Sequence, residues 1–246
     1  MKKFYYVELL RFFSAFSVLI YHYQHFFKPH SSMSTIDILD NKFIQPFYSF
    51  LKILYHYGHN GVPMFWAISG FVFAFVYLNK QEKVTSKKFF VNRFSRLYPL
   101  HFATLLIVTL FQTINYTSIG SFQIYPINDL YHFFLNLFFI SAWGFESDYS
   151  FNAPIWSVSV ELVIYILFFI SIINLNKYKI RFVLLVYFLL LIIDKSGFLT
   201  LKSTATRIAD CARLFFSGVL IFYISEIVKN KLYLIFLSFL LIFLSC

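Results

Sequence analysis

Long apolar runs constrain the fold of this chain more than any other feature of its sequence. A helix needs about 20 mostly apolar residues to cross a bilayer core. Stretches that approach this length are 5–27, 62–79, 98–114, 155–173, 182–193, 208–228 and 232–246, with weaker ones at 43–57 and 130–145. The sequence therefore predicts an all-α, polytopic transmembrane helical bundle with about seven to nine spans, forming a single integral-membrane domain over residues 1–246.

Composition agrees with a membrane protein. Of the 246 residues, 59% are hydrophobic and only 13% are charged, whereas a soluble domain carries about twice that charge. The net charge of +10 is compatible with nucleic-acid binding, but the basic residues lie mostly in short loops, where the positive-inside rule puts them. We therefore expect membrane lipid and no nucleic acid as a partner. Cys211 and Cys246 have no metal-ligand spacing, so no metal is expected.

The N-terminus superficially resembles a signal peptide, because Lys2 and Lys3 precede an apolar segment. A secretory signal would not normally hold Glu8, Arg11 and His22, and no small-residue cleavage site follows. We therefore expect a retained span with a cytoplasmic N-terminus.

The basic loop 80–97 should also be cytoplasmic, and 115–128, which has no Lys or Arg, should lie outside. The basic residues in 177–181 are cytoplasmic only if 130–145 is re-entrant or interfacial instead of a full span. The sequence leaves both arrangements open and slightly favours the re-entrant one.

Arg11 and His22 stand out because charged groups in a membrane are costly and usually functional. Eleven helical steps of about 100° bring both side chains to one face, about 16.5 Å apart along the axis. Glu8 lies three residues before Arg11 and can neutralise it. One interpretation makes His22 a general base and gives Arg11 an anionic group to hold. The other is a snorkelling arginine and an interfacial histidine.

Two further motifs stand out, one before the basic loop 80–97 and one at its end. In GHNGVPMFWAISGF (58–71), Ser69 and Gly70 offer a small surface for close approach of a helix or a ligand. In RFSRLYP, Arg93 and Arg96 are three residues apart, and Pro99 suits a helix start. The two guanidiniums predict a phosphate clamp, with topogenic charge as the alternative.

The segment NAPIWSVSVELVIY (152–165) carries a carboxylate inside an apolar helix. Glu161 is expensive there unless it is paired or functional. Ser157 lies four residues earlier on the same face. An interhelical partner that neutralises Glu161 is the structural alternative.

Together these segments resemble the membrane acyltransferase 3 family, whose members O-acylate surface carbohydrates and other acceptors. The resemblance covers residues 5–165, in the family's order. The matching segments are ELLRFFSAFSVLIYH, GVPMFWAISGF, RFSRLYP and IWSVSVELVIY. The chain departs from the family in its shorter length, its smaller number of spans and Trp66 in place of a phenylalanine.

The resemblance implies an O-acetyltransferase that moves an acyl group from cytoplasmic acetyl-CoA to a hydroxyl of a cell-surface carbohydrate or lipid-linked glycan. It implies that Arg93 and Arg96 engage the CoA phosphates. His22, Glu161 and Arg11 would be catalytic, and Glu8, Ser157 and Ser69 would support them. No metal is implied.

Two other interpretations stay open at this point. The charged groups inside the membrane also suit a transporter or flippase of an anionic lipid or glycan, although the sequence shows no inverted repeat. The last apolar run stops abruptly at Cys246, which is typical of a C-terminally truncated family member or an inactive remnant.

Overall fold

The computed structural model describes residues 5–24, 45–78, 85–195 and 204–228. Within these residues it has eight α-helices and no strand. The helices are α1 (Tyr5–Tyr23), α2 (Tyr48–Tyr57), α3 (Gly61–Tyr77), α4 (Ser86–Ile119), α5 (Leu130–Leu137), α6 (Trp156–Tyr178), α7 (Ile180–Lys195) and α8 (Thr204–Ile227). Short 3-10 turns lie at Gly58–Asn60, Ser141–Trp143 and Ala153–Ile155. The all-helical prediction is confirmed for this part of the chain.

Four helical segments are long and apolar enough to cross a membrane. They are Tyr48–Tyr77, Ser86–Ile119, Ala153–Tyr178 and Thr204–Ile227, and Ile180–Ile193 is a shorter apolar helix. The charged helix α1 is not among the four, and the predicted run 232–246 lies outside the described residues. The predicted count of seven to nine spans is therefore not confirmed.

One helix boundary differs from the sequence prediction. The runs 43–57 and 62–79 correspond to α2 and α3, which the 3-10 turn at Gly58–Asn60 joins into the helical segment Tyr48–Tyr77. The helix expected to start at Pro99 starts at Ser86 and carries the proline inside it, so that prediction is wrong. The fully buried Phe89, which packs on Phe169 (centroids 5.1 Å apart), gives the earlier residues a reason to be helical.

The segment 130–145 is too short to span. Helix α5 has eight residues and is about 12 Å long, less than half the thickness of a bilayer core. A short 3-10 turn, Ser141–Trp143, follows it. The structure therefore agrees with a re-entrant or interfacial segment.

The chain forms two compact units. The first comprises Met1–Gly61 and Asn92–Ser159, and the second comprises Val62–Val91 and Val160–Cys246. Helices α4 and α6 each contribute residues to both.

In the first unit, α1 packs closely on the glycines around the 3-10 turn at Gly58–Asn60. A Cβ at Gly58 would overlap the carbonyl oxygen of Ser17, and one at Gly61 would lie 2.5 Å from that of Ser14. The Ser17 hydroxyl donates to the Gly58 carbonyl at 3.2 Å. These two glycines therefore fix the position of α1.

In the second unit, an aromatic core surrounds Phe73. Its ring stacks on Tyr165 with centroids 4.4 Å apart and meets Phe215 edge-on at 5.4 Å. Helices α3 and α8 touch through their backbones, since a Cβ at Gly70 would overlap the Phe215 carbonyl oxygen. The small surface predicted at Gly70 thus serves helix packing.

Candidate functional site

Helix α1 presents Arg11 and His22 on its packed face. Apart from Ile20, the partly or fully buried positions of α1 follow a spacing of three or four residues: Val7, Leu10, Arg11, Ser14, Ser17, Val18, Tyr21 and His22. Phe12 and Leu19, on the other side, are more than half exposed. The predicted common face of Arg11 and His22 is therefore the face of α1 that packs against the rest of the first unit.

Arg11 is paired as the spacing predicts. Its Nη1 donates to Oε1 of Glu8 at 3.0 Å. The Arg11 side chain is 21% exposed and that of Glu8 is 70% exposed, so the guanidinium is the less exposed partner. Exposure of the carboxylate to water weakens this pair, which leaves Arg11 able to bind another anion.

The C-terminal end of α1 lies within electrostatic range of the segment 120–155 in the first unit. Tyr21, next to His22, packs edge-on against His59 with centroids 5.1 Å apart. Burial raises the pKa of Tyr125, and the neighbouring Tyr149, Tyr21 and Asp148 raise it further. Tyr21, at the His22 end of α1, is therefore within electrostatic range of Tyr125 and Tyr149.

That loop holds an arrangement of acid, imidazole and hydroxyl that the sequence analysis missed. Asp129 caps α5, and its Oδ1 lies 2.7 Å from Nδ1 of His132. Nε2 of His132 lies 3.3 Å from Oγ of Ser147. The available signal was an acid three residues before a histidine at a helix start, but nothing in the sequence links this pair to Ser147.

A second set of hydrogen bonds ties the same loop to α5. Nδ2 of Asn136 donates to the carbonyl oxygen of His132 and to Oγ of Ser150, each at 3.0 Å. Ser150 in turn donates to Oε1 of Glu146 at 3.0 Å. Glu146 directly precedes Ser147, so this network fixes the backbone that presents Ser147.

Arg93 and Arg96 lie on α4 in the first unit. Their spacing of three within one helix puts both side chains on the same side, as predicted. Arg93 is partly buried and Arg96 is exposed. Both lie within the first three turns of the helix, which begins at Ser86.

Ser157 and Glu161 are one turn apart on α6, as the sequence predicts. Oγ of Ser157 donates to the Pro154 carbonyl at 3.2 Å. The Glu161 side chain is buried in the second unit, within electrostatic range of Cys211. Ser69 also belongs to the second unit and is partly buried beside Gly70.

The second unit holds a charged pair that the sequence analysis passed over. Nη2 of Arg213 donates to Oδ1 of Asp210 at 2.7 Å on α8. These residues fall in the run 208–228, so the cost of charges in a membrane was the signal that could have found them.

One end of the second unit carries a basic cavity of about 460 Å³. Helices α3, α6 and α8 end at this cavity and α7 begins there. Its lining includes Lys177, Lys179, Arg181 and Glu226 beside apolar residues such as Phe222. Three cations against one carboxylate make this end positive.

Among the described residues, no group of three His, Cys, Asp or Glu side chains could hold a metal ion. A family model described as an acyltransferase domain matches residues 4–246. No curated protein matches the chain. No solved structure matches it either. The match extends well beyond residues 5–165, where the quoted motifs lie, and spans almost the whole sequence. The chain therefore belongs to the acyltransferase 3 family.

Proposed function

We propose that the chain is a membrane O-acetyltransferase. It transfers an acetyl group from cytoplasmic acetyl-CoA to a hydroxyl of a cell-surface carbohydrate or lipid-linked glycan, in the inner membrane of a bacterium. The observation that carries this proposal is the packed face of α1, which holds a partly buried cation and a partly buried imidazole. Membership of an acyltransferase family supports the type of reaction.

Charge gives the orientation of the chain in the membrane. The cavity at the ends of α3, α6 and α8 is positive, and Lys80 and Lys229 follow two of these helices in the sequence. By the positive-inside rule this end is cytoplasmic. From Leu97 to Asn176 the chain has no Lys or Arg, so the segment 120–155 belongs on the outer side.

The same rule sets the direction of α1. Lys2 and Lys3 precede it, so its N-terminal end is cytoplasmic and its His22 end is the outer one. This direction agrees with the electrostatic interaction of Tyr21 with Tyr125 in the segment 120–155, because both then lie at the outer side.

The donor would bind from the cytoplasmic side. Arg93 and Arg96 would hold the phosphates of CoA, since guanidinium groups bind phosphate through two parallel hydrogen bonds. About 16.5 Å of helix separates Arg11 from His22, so the two cannot act on one atom. Arg11 would bind an anionic part of the donor, while the flexible arm of CoA carries the thioester toward His22.

His22 would act as the general base. The hydroxyl oxygen of the acceptor attacks the thioester carbonyl, and His22 takes the hydroxyl proton as the C–O bond forms. The C–S bond then breaks, and the CoA thiolate takes that proton from the imidazolium. General-base catalysis of this kind contributes about 10²–10⁴ in rate.

Glu161 and Ser157 would act as positioning residues. A buried carboxylate in an apolar helix is costly, and a role in orienting an imidazole or a charged partner would account for it. Ser157, one turn earlier, would support the same helix face.

Mass spectrometry of the surface polysaccharide tests this function. Cells with the gene should carry an acetyl mass that cells without it lack, and cells with His22→Ala should lose about 99% of it or more at equal protein level. Unchanged acetylation in the His22→Ala cells would remove His22 from the mechanism. Flux of a lipid or glycan without CoA, and no acetyl product, would identify a transporter instead.

A further inference from the structure

We propose that Ser147, His132 and Asp129 form an acyl-accepting relay at the outer side, in which Ser147 carries the acyl group before the final acceptor does. This inference rests on the proposed acyl transfer and adds a second chemical centre to it. It gives a role to side chains that none of the four family-like segments contains.

The geometry is that of a nucleophile, a base and an orienting acid. Nε2 of His132 lies 3.3 Å from Oγ of Ser147, and Nδ1 lies 2.7 Å from Oδ1 of Asp129. A hydroxyl within reach of an imidazole that a third group orients is the general pattern of an activated serine. The Ser–His distance is at the long end, as is common before a substrate binds.

Asp129 fixes both the position and the tautomer of His132. The same Oδ1 accepts the backbone N–H of His132 at 2.9 Å and begins α5. With Nδ1 carrying the proton toward the carboxylate, Nε2 presents a lone pair to Ser147. The ring is 6% exposed and its carboxylate partner is 57% exposed, so the imidazole cannot swing freely away.

The exposure of Ser147 suits a group that must meet two substrates. The Ser147 residue is exposed to solvent. The neighbouring backbone is held in place by the hydrogen bonds from Ser150 to Glu146 and from Asn136 to Ser150. An accessible hydroxyl on a fixed backbone is what a reactive serine needs.

The relay lies at the end of α1 that carries His22. Asp148, next to Ser147, acts on Tyr125 together with Tyr21 of α1. The His22 end of α1 and the loop that carries Ser147 are therefore both near Tyr125, so the two centres can work in sequence.

The chemistry is balanced in two steps. Oγ of Ser147 attacks the carbonyl carbon of an acyl thioester, His132 takes the hydroxyl proton, the C–S bond breaks, and the thiolate leaves with that proton. An acceptor hydroxyl then attacks the Ser147 ester and gives its proton to His22, its general base in the proposed function. The bond from the acyl carbon to Oγ breaks, and Ser147 regains the proton.

A fluorophosphonate probe tests the nucleophile without any acyl donor. The full chain in lipid nanodiscs is treated with the probe, and the adduct is located by peptide mass spectrometry. We expect modification at Ser147, its loss in Ser147→Ala, and a labelling rate about 10²-fold lower in His132→Gln. Asp129→Asn should slow labelling about tenfold.

Ser121→Ala is the matched control, because Ser121 is an exposed serine of the same segment. It should leave labelling unchanged. An unmodified Ser147 in folded protein, or Ser121 labelled as fast as Ser147, would overturn the inference. A normal labelling rate in folded His132→Gln would also overturn it.

A second measurement separates this inference from the proposed function. After incubation with acetyl-CoA and no acceptor, the peptide with Ser147 should gain the mass of an acetyl group. Acetyl transfer that proceeds at the full rate in Ser147→Ala would refute the relay and leave the proposed function standing. Labelling by the probe needs neither CoA nor acceptor. The probe therefore tests Ser147 even if the chain proves not to transfer acetyl groups from acetyl-CoA.

Discussion

Arg11 shows how a single residue connects the sequence to a function. A guanidinium in an apolar helix is costly, and a partner that is 70% exposed offsets little of that cost. The residue therefore needs a further reason to be there, and an anionic donor supplies one.

We expect Arg11→Gln to weaken use of the donor. The ratio kcat/KM for acetyl-CoA should fall about 10–100-fold, or about 1.4–2.7 kcal/mol, mainly through KM. Donor titration of the purified protein measures this effect. Arg11→Lys should recover part of the loss, because it restores the charge without the bidentate geometry. A KM for acetyl-CoA in Arg11→Gln equal to that of the native chain would contradict the assignment.

Asp129 gives a pH-dependent prediction. Hydrogen bonds from the backbone N–H and the ring of His132 lower the pKa of Asp129 below its ordinary value of 3.8. A carboxyl with a lowered folded-state pKa contributes stability that is present above the unfolded value and lost as the pH falls through the folded value.

Asp129→Asn removes that contribution. The melting temperature of the native chain should exceed that of Asp129→Asn by a constant amount from about pH 7 down to about pH 5, and the gap should close below about pH 4. Thermal unfolding in detergent at a series of pH values measures it. A gap that widens as the pH falls would show that the ionised carboxylate is not the stabilising form.

Among the helices, the contact of α3 with α8 depends on glycine. We expect Gly70→Ala to destabilise the second unit by about 1–3 kcal/mol, because the new Cβ would meet the backbone at Phe215. Thermal unfolding measures this change. Ser69→Ala, which removes an atom at the neighbouring position, is the control, and it should shift the melting temperature less. An unchanged melting temperature in Gly70→Ala would contradict the close backbone contact between α3 and α8.

The helices could be predicted where hydropathy alone decides them. The runs 155–173 and 208–228 correspond to α6 and α8, because each is a continuous apolar stretch. Pro99 misled the prediction, since a proline that often starts a helix is tolerated within a long membrane helix when other groups satisfy the freed backbone. The segment 130–145 was ambiguous because its apolar residues do not reveal that α5 ends at Leu137.

The candidate site could be predicted only where it lies along one helix. Glu8, Arg11 and His22 share a face that helical periodicity gives directly. The contact of Ser147 with His132 joins residues fifteen positions apart through an irregular loop, which no periodicity describes. The basic cavity could not be predicted from the sequence for a related reason, because it forms only where the ends of several helices meet.

For the molecule as a whole, the orientation in the membrane is a testable prediction. Cysteines introduced by Lys179→Cys and Ser121→Cys, with Cys246 replaced, should react with a membrane-impermeant thiol reagent from opposite sides. In intact cells only the Ser121 position should be labelled, and the Lys179 position should react after the membrane is opened. The native Cys211 is fully buried, so it should contribute little. Labelling of both positions in intact cells would contradict the proposed orientation.

One reconstitution assay tests the catalytic residue, the orientation in the membrane and the reaction together. The purified full chain is placed in proteoliposomes with isotope-labelled acetyl-CoA on the side that exposes residue 179, and polysaccharide from the source cells on the other side. Label should appear on the polysaccharide, and His22→Ala should reduce its rate of appearance about a hundredfold or more. Equal rates in the native chain and folded His22→Ala, or no CoA-dependent product from the native chain, would contradict a reaction centred on the packed face of α1.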